Sequence, residues 1–172
     1  INDEFAKRQF PDDGNGNVYK CMRDGGPGAD LVYRGDAPSG YTQNYFKKSN
    51  SAKYDWSDLY DLTYQLTESP DDTYLDDVQS RVHIELWLKY LALNELLGNT
   101  ETTLANGSPD DYYLYAGEVD PRFYLIQHDL DSIFQRNGVD ILRFWPLPSL
   151  ARLISQPTMT LQYHRYLDEY ME

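Results

Sequence analysis

The run Asp110-Asp111-Tyr112-Tyr113-Leu114-Tyr115, followed after a short connection by Phe123-Tyr124-Leu125-Ile126-Gln127-His128-Asp129-Leu130-Asp131, decides how this chain is read. Two short stretches rich in aromatic and branched residues flank a connection that holds Gly117 and Pro121. That pattern is a β-hairpin with a longer loop. Acids stand at both its entry and its exit. Alternation splits Tyr112, Tyr113, Tyr115 and Tyr124 between the two faces. One face is expected to pack on a helix, and the other to pack as well or to border a cleft.

Upstream of the hairpin the apolar spacing becomes helical. Val82, Leu86, Tyr90, Leu93 and Leu97 form one stripe, widened by Trp87 and Leu91, which predicts a central buried helix over 80–97. Gly98-Asn99 ends it. Residues 98–111 form a polar loop. Earlier, Leu59, Leu62 and Leu66 predict a helix capped by Asp55 or Ser57, broken at Ser69-Pro70-Asp71-Asp72. A further short helix takes in Tyr74, Leu75 and Val78. Residues 1–54 read as irregular, with turn chemistry and short strands at Val18–Cys21 and Leu31–Arg34. Helices are expected at Ser149–Ile154 and again from about Pro157.

Composition bounds the function. With 172 residues, the chain holds enough sequence for one core. A net charge of −13 excludes nucleic acid as a natural partner and disfavours anionic membranes. Apolar runs such as Leu91-Ala92-Leu93 are too short for membrane insertion. The single cysteine, Cys21, allows no internal disulfide. Sixteen tyrosines and three tryptophans supply apolar area with polar tips. An acidic surface also suits hard divalent cations.

The order after the main helix is that of phosphoryl-transfer chemistry: buried helix, polar loop with acids and amides, hairpin, then an aspartate at the hairpin's exit. Such chemistry needs several oxygen ligands around a small cation, which offsets charge on the moving phosphoryl group. Asn99, Glu101, Asp110 and Asp111 are the loop candidates; Asp129 and Asp131 are those after the hairpin. On spacing alone, the same acids also read as solvated loop residues of an acidic protein.

The segments Leu96-Leu97-Gly98-Asn99-Thr100-Glu101, Asp110–Tyr115 and Phe123–Phe134 resemble the spore-coat protein CotH kinase family, as does Asn17-Val18-Tyr19-Lys20. Tyr45-Phe46-Lys47-Lys48 and Asp58-Leu59-Tyr60-Asp61-Leu62 are similar too, so the likeness extends over roughly 1–170. The resemblance implies an α+β fold, a mostly helical kinase-like C-lobe in which a small β-hairpin carries the metal site. It implies an atypical protein kinase that uses ATP with Mg²⁺ or Mn²⁺ on Ser/Thr hydroxyls, at an extracellular or cell-surface location. Its partner would be a protein substrate or a surface assembly. Carried over, Asp129 matches the metal-binding aspartate and Asp111 the loop metal ligand. Glu101 falls at the catalytic position, with Asp131 and Asn99 in support. Glu101 and Asp111 stand where the family commonly has Asp and Asn. The longer Glu101 side chain would shift its carboxylate by about a bond length, and a misplacement of about 1 Å can lower rate about a hundredfold. His128, often Trp in the family, reads as strand-end packing, or as a hydrogen-bond partner for an acid. Lys7, Arg8 and Lys20 carry no assigned role.

The resemblance also implies that residues 1–172 are one partial domain lacking most of the nucleotide-binding lobe, so this segment alone is expected to transfer phosphate poorly. The alternatives are a surface or adhesion module, or an acidic metal-binding module, on the same fold. Other signals are weaker. Asp13-Gly14-Asn15-Gly16-Asn17 imitates a calcium loop but lacks its later glycine and bidentate glutamate, so it reads as a turn. Arg34-Gly35-Asp36 also reads as a turn, and Asn106-Gly107-Ser108 as a loop sequon. His83 and His164 are expected in helices.

Overall fold

The computed structural model describes residues 1–99, 104–135, 142 and 146–172. Among these, six α-helices accompany one four-stranded antiparallel sheet. The strands are β1 (Asn17–Cys21), β2 (Tyr45–Lys47), β3 (Tyr112–Ala116) and β4 (Tyr124–Ile126), in the order β2-β1-β3-β4. The expected hairpin is therefore present as β3 and β4, but it is half of a larger sheet. Tyr113 pairs with Ile126 across the hairpin and with Lys20 on β1.

Strand β3 is buried along its whole length. Tyr112, Leu114 and Ala116 face the main core; Tyr113 and Tyr115 face a smaller cluster with Ala6, Val18 and Phe10. The second cluster lies under α1 (Asp3–Gln9), which Asn2 caps through its side-chain oxygen on the Phe5 amide. Both α1 and β2 fall in the stretch expected to be irregular. The strand predicted at Leu31–Arg34 is not formed. Leu31 takes φ 60° and donates its amide to the Tyr45 hydroxyl, which withdraws it from any ladder.

The helical layer consists of α2 (Ser57–Thr67), α3 (Tyr74–Arg81), α4 (Ile84–Leu96), α5 (Pro148–Ile154) and α6 (Pro157–Met171). At the start of α2, Asp55 accepts the Ser57 amide at 3.0 Å. That bond holds the Asp55 carboxyl below its ordinary range. The continuous helix expected over 80–97 is interrupted at Val82-His83. There the backbone of Phe123 donates to Arg81 O and accepts from the His83 amide. His83 consequently precedes α4 instead of lying within a helix.

The predicted stripe is also rotated. Leu86 and Leu93 are 45% and 41% exposed, whereas Trp87, Leu88, Leu91 and Ala92 are fully buried. Helix α4 is apolar nearly all round, so periodicity does not identify its inner face. Packing against α6 and β4 selects it, and Trp87 Nε1 donates to Phe123 O at 2.8 Å. The helix stops where expected: Gly98 has φ 61°, and the Asn99 amide returns to Asn94 O.

The calcium-loop mimic is a clasp. Asp13 accepts the amides of Glu118, Val119 and Asp120, at 2.8–2.9 Å, and so fastens the β3–β4 connection. A Cβ at Gly117 would stand 1.8 Å from Asp13 Oδ2, so the clasp requires glycine there. Arg34 is committed to Asp30 through two contacts of 2.7 and 2.8 Å.

Candidate functional site

Alternation along the strands assembles the site. Lys20, Tyr113 and Ile126 are cross-strand partners and share the sheet face under α1. Two residues before Tyr113 comes Asp111, and two after Ile126 comes His128, so both return to that face. Asp111 and Asp129 have φ 48° and 53°, the left-handed region that short acidic side chains tolerate better than most. These turns bring one oxygen of each aspartate and a ring nitrogen of His128 within 4.8 Å of one another.

Around Asp111 the geometry is specific. Its Oδ1 lies 3.4 Å from Lys20 Nζ and 3.3 Å from His128 Nδ1. That oxygen is shut off from solvent and accepts no hydrogen bond. The His128 ring packs 5.1 Å from the Tyr113 ring, and burial foremost raises the Tyr113 phenol above its ordinary range. Asp129 is exposed, which leaves one side of the group open to solvent. A shielded, under-bonded carboxylate oxygen beside a second carboxylate and an imidazole fits a divalent cation, whose donors stand about 2.0–2.6 Å from it.

A cavity of about 710 Å³ has Tyr113, the ring that packs against His128, in its wall. Asn2, Asp3, Glu4, Arg8 and Lys48 also line it. Its size suits a small-molecule ligand.

Of the residues expected to act, Asp111 and Asp129 converge. Asp131 is exposed and outside the three-donor group; its amide donates to Asp129 Oδ1 at 3.2 Å. Asn99 is wholly buried and donates its side-chain amide to Asn94 Oδ1. Asn94 in turn donates to Gln127 Oε1 at 2.7 Å, and Phe134 N donates to Leu97 O. The end of α4 and the exit of β4 are thus tied together. Asp110 accepts the Arg23 amide. Glu101 lies outside the described residues.

Lys20 is the member that sequence reasoning missed. Its only signal is the period-two register with Tyr113, which depends on a pairing far along the chain. His128 packs at the strand end as expected and also faces an acid.

The family model described as CotH kinase protein matches residues 1–172. A search of curated proteins finds no match.

Proposed function

This chain belongs to the CotH kinase family, and we propose that it is the part of an ATP- and divalent-metal-dependent protein kinase that holds the metal and the acceptor. The observation that carries the proposal is the convergence of Asp111 and Asp129 at the sheet end. Both acids are required for a shared cation, and the exposure of Asp129 leaves coordination positions open for phosphate oxygens. An enclosed structural ion site would lack that opening, and an adhesion module would have no need for the acids to meet.

In this reading Asp111 and Asp129 would hold Mg²⁺ or Mn²⁺; Asp131 supports Asp129 through its backbone amide, and the buried Asn99 acts through Asn94 and Gln127. When bound beside Asp111 and Asp129, such a cation would supply positive charge that offsets the negative charge of the phosphoryl group. Lys20 keeps positive charge beside Asp111 and orients its carboxylate. The cavity walled by Tyr113 would receive the nucleotide, with Arg8 and Lys48 supplying cationic groups toward its phosphates. Glu101 orients the Ser/Thr hydroxyl of a protein substrate and takes its proton. The acceptor oxygen bonds to the γ-phosphorus while the bond from that phosphorus to the bridging oxygen breaks, and ADP leaves. The family's link to spore coats points to a cell-surface or extracellular setting, with a surface-assembly protein as acceptor. Among the described residues no helix is long and apolar enough to cross a membrane.

The test is calorimetric titration of MnATP and MgATP into the chain and its Asp129→Ala variant. The proposal expects metal-dependent nucleotide binding that the substitution lowers at least about tenfold. Equal binding by both proteins refutes the role of Asp129.

A further inference from the structure

We infer that His128 is a third, nitrogen ligand that biases the cation site toward Mn²⁺ and away from Mg²⁺. The inference rests on the metal-dependent reading above and adds to it a choice of ion. Two carboxylates alone would treat the two cations as similar hard ions, distinguished mainly by size and hydration. An imidazole changes this. Mg²⁺ prefers an octahedron of oxygens and gives up water reluctantly, whereas first-row transition ions accept imidazole nitrogen readily.

The geometry places the ring for that task. A ring nitrogen of His128, an Asp111 oxygen and an Asp129 oxygen lie mutually within 4.8 Å. Three donors about 2.0–2.6 Å from one centre span separations of this order. The ring packs at a tilt against Tyr113, with centroids 5.1 Å apart, and Tyr113 is itself 5% exposed on an inner strand of the sheet. That contact holds the ring beside Asp111 before any ion arrives. Gln127, immediately before it, is anchored to Asn94, and its side-chain amide donates to the carbonyls of His128 and Asp129. The backbone that carries two of the three donors is fastened from behind. Lys20 opposes binding of a bare ion by adding positive charge 3.4 Å from Asp111 Oδ1. That lowers affinity for either cation through charge, but leaves the preference set by the nitrogen.

The experiment uses Mn²⁺ alone, titrated into the chain and followed by electron paramagnetic resonance, with Mg²⁺ as competitor. Electron spin-echo modulation on the bound Mn²⁺ should show coupling to ¹⁴N in the unsubstituted protein, a readout that needs no variant to fold. In His128→Gln, with its circular dichroism unchanged, the ¹⁴N signal should vanish. Affinity for Mn²⁺ should fall at least about tenfold more than affinity for Mg²⁺. Bound Mn²⁺ without ¹⁴N coupling, or an unaltered Mn²⁺/Mg²⁺ ratio in His128→Gln, overturns the inference. If Asp129→Asn still abolishes binding in that case, the two-carboxylate site stands without the histidine. Absence of any Asp129-dependent Mn²⁺ binding removes both.

Discussion

Replacing Asn94 by leucine tests whether the end of α4 holds the exit of β4. The substitution keeps the branched shape of the side chain and leaves no cavity, so its main effect is the loss of polar partners. Asn94 Nδ2 donates to Gln127 Oε1 at 2.7 Å and to Tyr90 O at 2.9 Å, while its Oδ1 accepts from Asn99 Nδ2 at 3.1 Å. Tyr90 O keeps the main-chain partner that a helix supplies four residues on. Asn99, with no exposed surface, loses an acceptor for a buried donor, which costs about 1–3 kcal/mol. Gln127 is half-buried and turns partly to water, so its loss is about 1 kcal/mol. The expected destabilisation is about 2–4 kcal/mol. In urea, with a slope of about 2 kcal/mol/M, the midpoint should fall by about 1–2 M. Leu86→Gln, at an exposed position of the same helix, is the control and should stay within about 0.5 kcal/mol. A midpoint for Asn94→Leu within about 0.25 M of the unsubstituted chain would refute the argument.

Four further outcomes follow from the structure. Burial first, and then Arg122, hold His83 below its ordinary value despite Asp120 at 3.5 Å. The stability from keeping His83 neutral is full above about pH 6.5 and declines as pH falls through that value toward the lowered folded one. Urea midpoints between pH 7.5 and about 5 should show this decline, and His83→Gln should flatten it; an identical decline in the variant counts against it. Asp120, held down to about 2 chiefly by its bond from Arg122, keeps its contribution above about pH 4 and loses it as pH falls toward 2. Arg122→Gln should move that acid limb upward in pH, read by circular dichroism, and an unmoved limb would contradict the assignment. A Cβ at Gly16 would stand 1.9 Å from the backbone oxygen of Ala116, so Gly16→Ala should destabilise by more than about 2 kcal/mol in the same urea assay. A loss below about 1 kcal/mol would mean that β1 and β3 separate easily there. Cys21 is fully buried, and burial pushes its thiol well above the ordinary range. Iodoacetamide should label it only as urea unfolds the chain, and rapid labelling of the native protein would show the sheet to be open at that point.

What the sequence made legible was local. The hairpin showed because its two strands are joined by a short connection with turn residues, and α2 showed because Leu59, Leu62 and Leu66 all face inward. Helix α1 did not show, since Ala6 is its one buried residue and a lone alanine carries no period. Strand β2 is three residues long, too short for alternation to register. The break before α4 depends on the Phe123 backbone inserting between Arg81 and His83, a tertiary event with no mark in residues 80–84 themselves. At the candidate site, Asp111 and Asp129 were singled out by their places at the two ends of the hairpin. Lys20 reached the same group only through the β1–β3 register, which no nearby residue announces.

That register has a consequence for how the protein is made. Strand β1 finds β2 early, but its other edge waits for β3, and the Gly16 amide meets the Tyr115 hydroxyl 99 residues further on. At ribosomal speeds of about 5–20 residues per second, the delay is on the order of 5–20 s. Throughout that interval an apolar strand carrying Val18, Tyr19 and Cys21 presents unpaired amides and carbonyls to whatever lies nearby. Nascent-chain chaperones that shield such edges should therefore raise the yield of this protein.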